Sequence, residues 1–446
     1  MLQTKPPTAP TYPVAPEAGP LPLRGDPITG DRYYSREFAQ AEWDRMWTRV
    51  WHVGGHLAQL EEPGDYIVHN FLKESVVMVR QEDGSVRAFY NTCQHRGNRL
   101  AWTESGGVVD GLRCSYHGWL WGLDGVLRDA QDPDDFPQGN PCGKVRLKEL
   151  PCATWGGFVW YSMDPGAKPL AQYLYPMPDL LAGRDMDNLV RAVWRTVKVN
   201  TNWKFSPDNF NESYHLPTVH PQMRQMIDED YRNTVFDMFP NGHNRMIEQG
   251  QPSMRADFPN MVEPVWEMML AEWGLDPAAY EGRAREGRRD LQAAKRRLGP
   301  SRGYGYFDAM LDDELTDYFH HTLFPNVTIT GTPDGVHFFR TEPLAHDPEW
   351  CTFDYWYLVP RIAGRDEVAT VYGMRPYEEA EHEVSTYGEG VGGHHLGDFI
   401  DQDLSIAVAQ QQGFNSRGYS DPYLSGQESR VQRFHEVLND YLEGRR

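Results

Sequence analysis

The first regular pattern along the chain is helical. In SREFAQAEWDRMWTRVW, from Ser35, the residues Phe38, Trp43, Met46, Trp47 and Val50 can share one broad face. The period then changes. GDYIVHNF, SVVMVRQ and VRAFYNT are short, β-branched and aromatic, with Pro63-Gly64 and Asp83-Gly84 as turns between them. GLRCSYHG, GVLRDA and ATWGGFVWYSM carry the strand-like character to about residue 163. PGAKPLAQYLYPMPDLLAG is a connector with helical content, RAVWRTVKVNTNWKF predicts a strand and a turn, and a helical segment follows from about Pro207. Residues 262–298 are charge-rich and helix-forming. TLFPNVTITG, GVHFFRTEP, CTFDYWYLVP and EVATVYGMRP predict an antiparallel meander of four strands. After the Gly/His-rich run YGEGVGGHHLG, a helix is expected from about Asp398 to Gln412, stopped at Gly413. The expected organisation is a Pro-rich extended arm over 1–26, a helical segment over 27–47 that packs on the C-terminal domain, a small all-β domain over 48–165, and a second domain over 166–446 mixing helices with an antiparallel sheet.

Composition narrows the chemistry. A length of 446 residues suggests two or three domains, and 13% aromatic residues are ample for a core. A net charge of −21 argues against nucleic acid and against an anionic membrane surface as partners. A mean hydropathy of −0.64 and the lack of a long uncharged apolar run argue against a transmembrane helix. Seven prolines in the first 24 residues, with no apolar core segment, argue against a signal peptide. Five cysteines make no disulfide framework in a chain of this length, so a reducing cytoplasm is the expected location.

Cysteines spaced among histidines point to metal. NTCQHRG holds Cys93 and His95, and LRCSYHGW holds Cys114 and His117. Two Cys and two His suit a tetrahedral zinc or a [2Fe–2S] centre with Cys on one iron and His on the other. Zinc fingers place their histidines together on a helix, whereas here each loop carries one Cys and then one His. The two loops continue as Arg96-Gly97 and Gly118-Trp119. This pair of motifs resembles the Rieske cluster motif. The other cysteines, Cys142, Cys152 and Cys351, have no His at ligand spacing and read as small buried hydrophobes.

A Rieske centre moves single electrons, so the rest of the chain must supply a partner surface or an active site. NWKFSPDNFNESYHLPTVHP contains Glu212, His215 and His220. Glu212 and His215 are expected on one helical face, with Pro217 breaking the helix so that His220 swings back toward the same point. Two imidazoles suit a mononuclear non-haem iron, which needs one carboxylate more. GDFIDQDLSIAVAQQQGF offers Asp398, Asp401 and Asp403; helical periodicity favours Asp403 without excluding Asp401. His320, His321, His394 and His395 read as surface or gate residues.

The whole pattern resembles the catalytic α subunit of the Rieske non-haem iron oxygenases, also called aromatic-ring-hydroxylating oxygenases. The resemblance covers about residues 30 to 435. It rests on the Rieske motif, on Asn202-Trp203-Lys204, on the acid-X2-His-X4-His run and on a late Asp eight residues before Gln411-X-Gly413, which selects Asp403. It implies an α+β architecture: a small all-β Rieske domain, then a helix-grip (START-like) catalytic domain whose antiparallel sheet wraps a long helix. It implies a [2Fe–2S] cluster on Cys93, His95, Cys114 and His117, and Fe(II) on His215, His220 and Asp403. Glu212 and Asn209 are the candidate catalytic residues outside the ligand sets. By the same resemblance, Glu212 bridges a Rieske histidine and an iron-site histidine across a subunit boundary in a homotrimer. Electrons are expected from NAD(P)H through a flavin reductase or a ferredoxin, because the chain has no Gly-rich dinucleotide loop of its own. The expected reaction is O2-dependent hydroxylation or dihydroxylation of an organic substrate, aromatic or polycyclic as the main reading. Glu212 in ESYH resembles the branch acting on quaternary ammonium compounds, which is the alternative. An electron carrier without an oxygenase site is the rival from another class.

Overall fold

The computed structural model describes residues 10–15, 21–370, 372–389 and 395–446. The chain divides into two compact units. One is Gln40–Tyr173; the other joins Met1–Ala39 to Leu174–Arg446.

The smaller unit is built from short strands. A five-stranded sheet has the order Ser105–Gly107, Asp65–Phe71, Glu74–Arg80, Val86–Tyr90, Glu149–Leu150. Two three-stranded sheets flank the chain ends and the second Cys/His loop. The turn at Pro63-Gly64 requires its glycine: φ is +93°, and a Cβ there would lie 2.0 Å from the Val108 carbonyl oxygen. Val77, Val79, Phe89, Trp121 and Leu127 form the core, and Cys93 and Cys114 are buried in that same cluster.

The larger unit holds an eight-stranded sheet. Its strands are β1 (Val190–Val199), β2 (Val235–Met238), β3 (Asn244–Glu248), β4 (Tyr318–Leu323), β5 (Val327–Thr332), β6 (Gly335–Leu344), β7 (Asp347–Val359) and β8 (Glu383–Thr386), ordered β2-β3-β4-β5-β6-β7-β1-β8. Every neighbouring pair is antiparallel except β1 with β8, which is parallel. Register puts Met246, His320, Thr330, His337 and Tyr357 in one row across β3 to β7. Since side chains alternate along a strand, Glu248, Tyr318, Phe339 and Tyr355 share that face. The helices that position the site are the short α1 (Phe205–Phe210) and α2 (Leu216–Val219), then α3 (Asp398–Phe414) and α4 (Ser429–Leu442); the charge-rich run 262–298 forms two further helices, Pro264–Glu272 and Gly287–Leu298. On the other face the Arg191 guanidinium lies 3.6 Å and 4.7 Å from the ring centres of Trp194 and Trp356.

Two expectations change. The meander is continuous through β4 to β7, but EVATVYGMRP is not its fourth member: Glu367–Thr370 and Gly373–Pro376 pair with each other as a separate ribbon. The fourth strand arises because TLFPNVTITG divides at Phe324-Pro325 into β4 and β5. Helix α3 runs through Gly413, because Phe414 is anchored by stacking on Tyr33 at 3.9 Å. The described parts of the Pro-rich arm lie on the larger unit: Arg245 donates to the Pro13 carbonyl, and Glu436 accepts from the backbone of Arg24 and Gly25. The remainder of the arm, and His394 of the Gly/His-rich loop, lie outside the described residues.

Two candidate metal centres and a cavity

The two Cys/His loops repeat one backbone design. Cys93 O accepts from Gly97 N and Cys93 N donates to Asn98 O; Cys114 O accepts from Gly118 N and Cys114 N donates to Trp119 O. Gly97 and Gly118 turn the chain back with φ of +77° and +70°, which explains why each Cys-X1–2-His is followed by glycine. The fold brings the two histidines together and sets the Cys93 and Cys114 side chains within hydrogen-bond reach of each other. The His95 and His117 rings lie 4.6 Å apart, and His95 stacks on Trp119 at 4.5 Å. Burial, with His117 and Arg96 nearby, lowers the His95 pKa and keeps the ring neutral, the form that ligates. Its Nδ1 is buried with no hydrogen-bond partner among the described residues, as a metal-directed nitrogen would be. Burial opposes ionisation of Cys114, but the Tyr116 and His117 backbone N–H groups and the Asn98 amide outweigh it and lower its pKa. These donors fit a thiolate-bound iron–sulfur cluster.

In the larger unit, His215, His220 and Asp403 bring their donor atoms within 4.8 Å of one another. His220 Nε2 lies 2.8 Å from Asp403 Oδ1, and His215 Nε2 lies 3.7 Å from the same oxygen. Glu212 acts from behind: His215 Nδ1 donates to its Oε1 at 2.6 Å, and the His215 backbone N–H donates to its Oε2. That leaves His215 Nε2 facing Asp403. Burial alone would lower the His215 pKa; Glu212 and Asp403 overcome it and lift the value to about 9. An imidazole held between two carboxylates calls for positive charge, and two imidazoles with one carboxylate fit Fe(II).

The local fold differs from the expected helix. Glu212 and His215 lie in the turn between α1 and α2, not on one helical face, and Pro217 sits in the first turn of α2, where its missing N–H costs nothing. The turn, not a break at Pro217, brings His215 and His220 to one point. Asp401 is elsewhere: it accepts from the backbone of His395 and Leu396. Pattern reading missed Gln402. Its Oε1 accepts from His220 Nδ1 at 2.7 Å and from Gln222 Nε2 at 2.9 Å, which leaves His220 Nε2 for the metal. The one available signal was its place next to Asp403.

The three donors open on a cavity of about 650 Å³ lined mainly by apolar side chains, including Phe210, Met226, Met246, Phe339 and Phe399. Asn209 and Glu212 line it too. So does His320, within β4, whereas His321 is buried on the opposite face and is no surface residue. His337 borders the cavity as a neutral ring, its pKa pushed down to about 4 by burial. Cys351 is buried as expected, while Cys142 and Cys152 are only half-buried.

Two family models match the chain. One described as the Rieske [2Fe-2S] domain matches residues 50–148, and one described as the ring hydroxylating alpha subunit (catalytic domain) matches residues 186–444. The chain belongs to the ring-hydroxylating Rieske oxygenase α-subunit family. Members of that family carry a [2Fe–2S] cluster and a mononuclear iron, and the two matched domains are the ones that hold them. It is 31% identical over 202 residues to the carnitine monooxygenase oxygenase subunit of Escherichia coli K12, covering 45% of this chain and 54% of that one. The match thus spans about half of that relative's length. It is 26% identical over 352 residues to the glycine betaine monooxygenase oxygenase subunit of Chromohalobacter salexigens, covering 74% of each. The naphthalene 1,2-dioxygenase large oxygenase component of a Ralstonia species is 33% identical over 202 residues, 43% of each chain. The crystal structure of the quaternary ammonium Rieske monooxygenase CntA with an inhibitor shares this fold, with a TM-score of 0.66 at 18% identity over 94% of this chain and 96% of that one. No helix among the described residues is long and apolar enough to cross a membrane.

Proposed function

We propose that this Rieske oxygenase inserts oxygen into a small organic cation of the quaternary ammonium class, bound in the cavity beside His215, His220 and Asp403. The observation that carries the oxygenase reading is the convergence of those three donors at the edge of an apolar cavity large enough for an organic molecule. With both groups bound, the cluster supplies electrons singly and the iron supplies O2 activation. The chain does the rest. Cys93, His95, Cys114 and His117 hold the cluster; Glu212 and Gln402 hold the Nδ1–H protons of the two iron-facing histidines; the apolar walls exclude water from the reacting carbon. Asn209 lines the cavity one turn before Glu212 and is placed to orient substrate.

The quaternary ammonium reading now stands ahead of the aromatic one. The carnitine and glycine betaine relatives support it, while naphthalene dioxygenase keeps a neutral aromatic substrate as the second reading. Electrons come from an NAD(P)H-dependent reductase, directly or through a ferredoxin, and the working unit is a homotrimer in the cytoplasm. In that trimer Glu212 links its own His215 to a Rieske histidine of a neighbouring copy. The test is O2 uptake with a reconstituted reductase, comparing carnitine and glycine betaine with naphthalene. Uptake and product formation with a quaternary ammonium compound are expected. Turnover of naphthalene alone would restore the aromatic reading, and uptake with no substrate oxidised would remove the oxygenase.

A further inference from the structure

Of the charged groups that line the cavity outside the metal ligands, which include Arg195, Glu212, Glu248 and Asp398, Glu248 is the one whose carboxylate has a buried oxygen, Oε1, with no hydrogen-bond partner among the described residues. Glu248 ends β3, lines the cavity and is 1% exposed. Its Oε2 lies 3.6 Å from His320 Nε2, beyond hydrogen-bond reach, and the other nitrogen of that ring is engaged by Thr330 Oγ1 at 2.9 Å. A buried carboxylate without donors is costly, by several kcal/mol on general grounds, unless positive charge reaches it.

The neighbouring charges do not satisfy it. Arg430 feels the Glu248 charge, but its guanidinium donates to the carbonyls of Phe210 and Asn211, and no ion pair between Arg430 and Glu248 is found among the described residues. Arg195, also on the cavity wall, is paired with Glu383 at 2.7 Å and lies 3.6 Å from the Tyr372 ring centre. His215 feels the Glu248 charge but is committed to Glu212 and Asp403. Around the carboxylate the wall is aromatic and apolar: Tyr318 is its direct cross-strand partner, and Met246 precedes it on the same strand face. A buried anion in a wall of aromatic and apolar side chains suits an organic cation, whose charge reaches the carboxylate while its methyl groups pack on the wall.

We propose that Glu248 is the charge-recognition residue of the substrate cavity, seating a quaternary ammonium group against Tyr318 while the rest of the substrate extends toward His215, His220 and Asp403. The assignment rests on the oxygenase reading of that cavity and adds the residue that separates a cationic substrate from a neutral aromatic one of the same shape.

A matched pair of ligands tests it without turnover. Phenyltrimethylammonium and tert-butylbenzene have nearly the same shape, and differ in the positive charge. Their affinities for the oxidised holoenzyme are measured by calorimetry under anaerobic conditions. The wild type is expected to prefer the cation by about tenfold or more. Glu248→Gln, which keeps the size and removes the charge, is expected to lose that preference and leave binding of the neutral ligand unchanged. Equal affinities in the wild type, or no binding of the cation at millimolar concentration, would overturn the assignment even if the variant did not fold. A folded Gln variant that keeps the cation preference would reduce Glu248 to a counter-charge for Arg430. Because binding is read without O2 or electrons, these outcomes are independent of whether O2 uptake supports the oxygenase.

Discussion

His215 and His220 face one metal position, yet different groups hold them from behind. His215 donates its Nδ1–H to a carboxylate, Glu212, and His220 donates to a neutral amide, Gln402. A carboxylate partner makes an imidazole the stronger donor, so the two ligands are unequal by design of the chain. Gln402→Leu should therefore weaken iron binding by about 10–100-fold, since an apolar side chain leaves the His220 ring free to rotate and to place either nitrogen at the metal. Competition with a chelator, read by iron content, measures the loss, and the cluster's visible absorbance should stay. Unchanged iron affinity would show that packing alone orients His220. The candidate cluster residues were legible in the sequence because each Cys lies within a few residues of its His, and each loop needs a glycine with positive φ. Glu248 and Gln402 were not legible, because what distinguishes them is spatial: one is a carboxylate without donors, the other an acceptor shared by His220 and Gln222 from a distant segment.

At the scale of elements, strand alternation and turn residues read the β unit and β4 to β7 well, since each strand is bounded by its own Gly, Pro or Asp turn. The errors came where tertiary contacts override local signals. Glycine at 413 reads as a helix stop, but Phe414 on Tyr33, and Gln411 donating to the Tyr33 carbonyl and accepting from Asn202 N, hold the last turn in place. Gly413 has helical backbone, is exposed, and would place a Cβ with nothing within 4 Å. Gly413→Ala should accordingly raise stability by about 0.5–1 kcal/mol, chiefly by restricting the unfolded chain. The shift in the denaturation midpoint checks this, and a destabilised variant would mean that α3 ends before residue 413 in solution. The Glu212–His215 contact was expected for the wrong local reason: it is made by a turn, and i,i+3 spacing brings the groups together there as it would on a helix.

At the scale of the whole molecule, the proposed function joins a one-electron centre to an O2-activating one. Glu212 is proposed to serve that connection without holding metal. Glu212→Gln keeps an acceptor oxygen for His215 but cannot accept at both ends of its head group. Both metal centres should stay bound, and oxidation of the reduced cluster in a single turnover with O2 and substrate should slow by orders of magnitude. Wild-type rates would remove Glu212 from the electron path, and full activity in a species that sediments as a monomer would remove the trimer. The most direct test of the central claim is iron content and cluster absorbance measured together in Asp403→Ala and Asp401→Ala. The account predicts one iron per chain beyond the cluster's two in the wild type, loss of that one iron and of turnover in Asp403→Ala with the cluster colour intact, and retention of it in Asp401→Ala, whose carboxylate accepts from the His395 and Leu396 backbone. Iron lost from Asp401→Ala and kept in Asp403→Ala, or no iron beyond the cluster in the wild type, would contradict it.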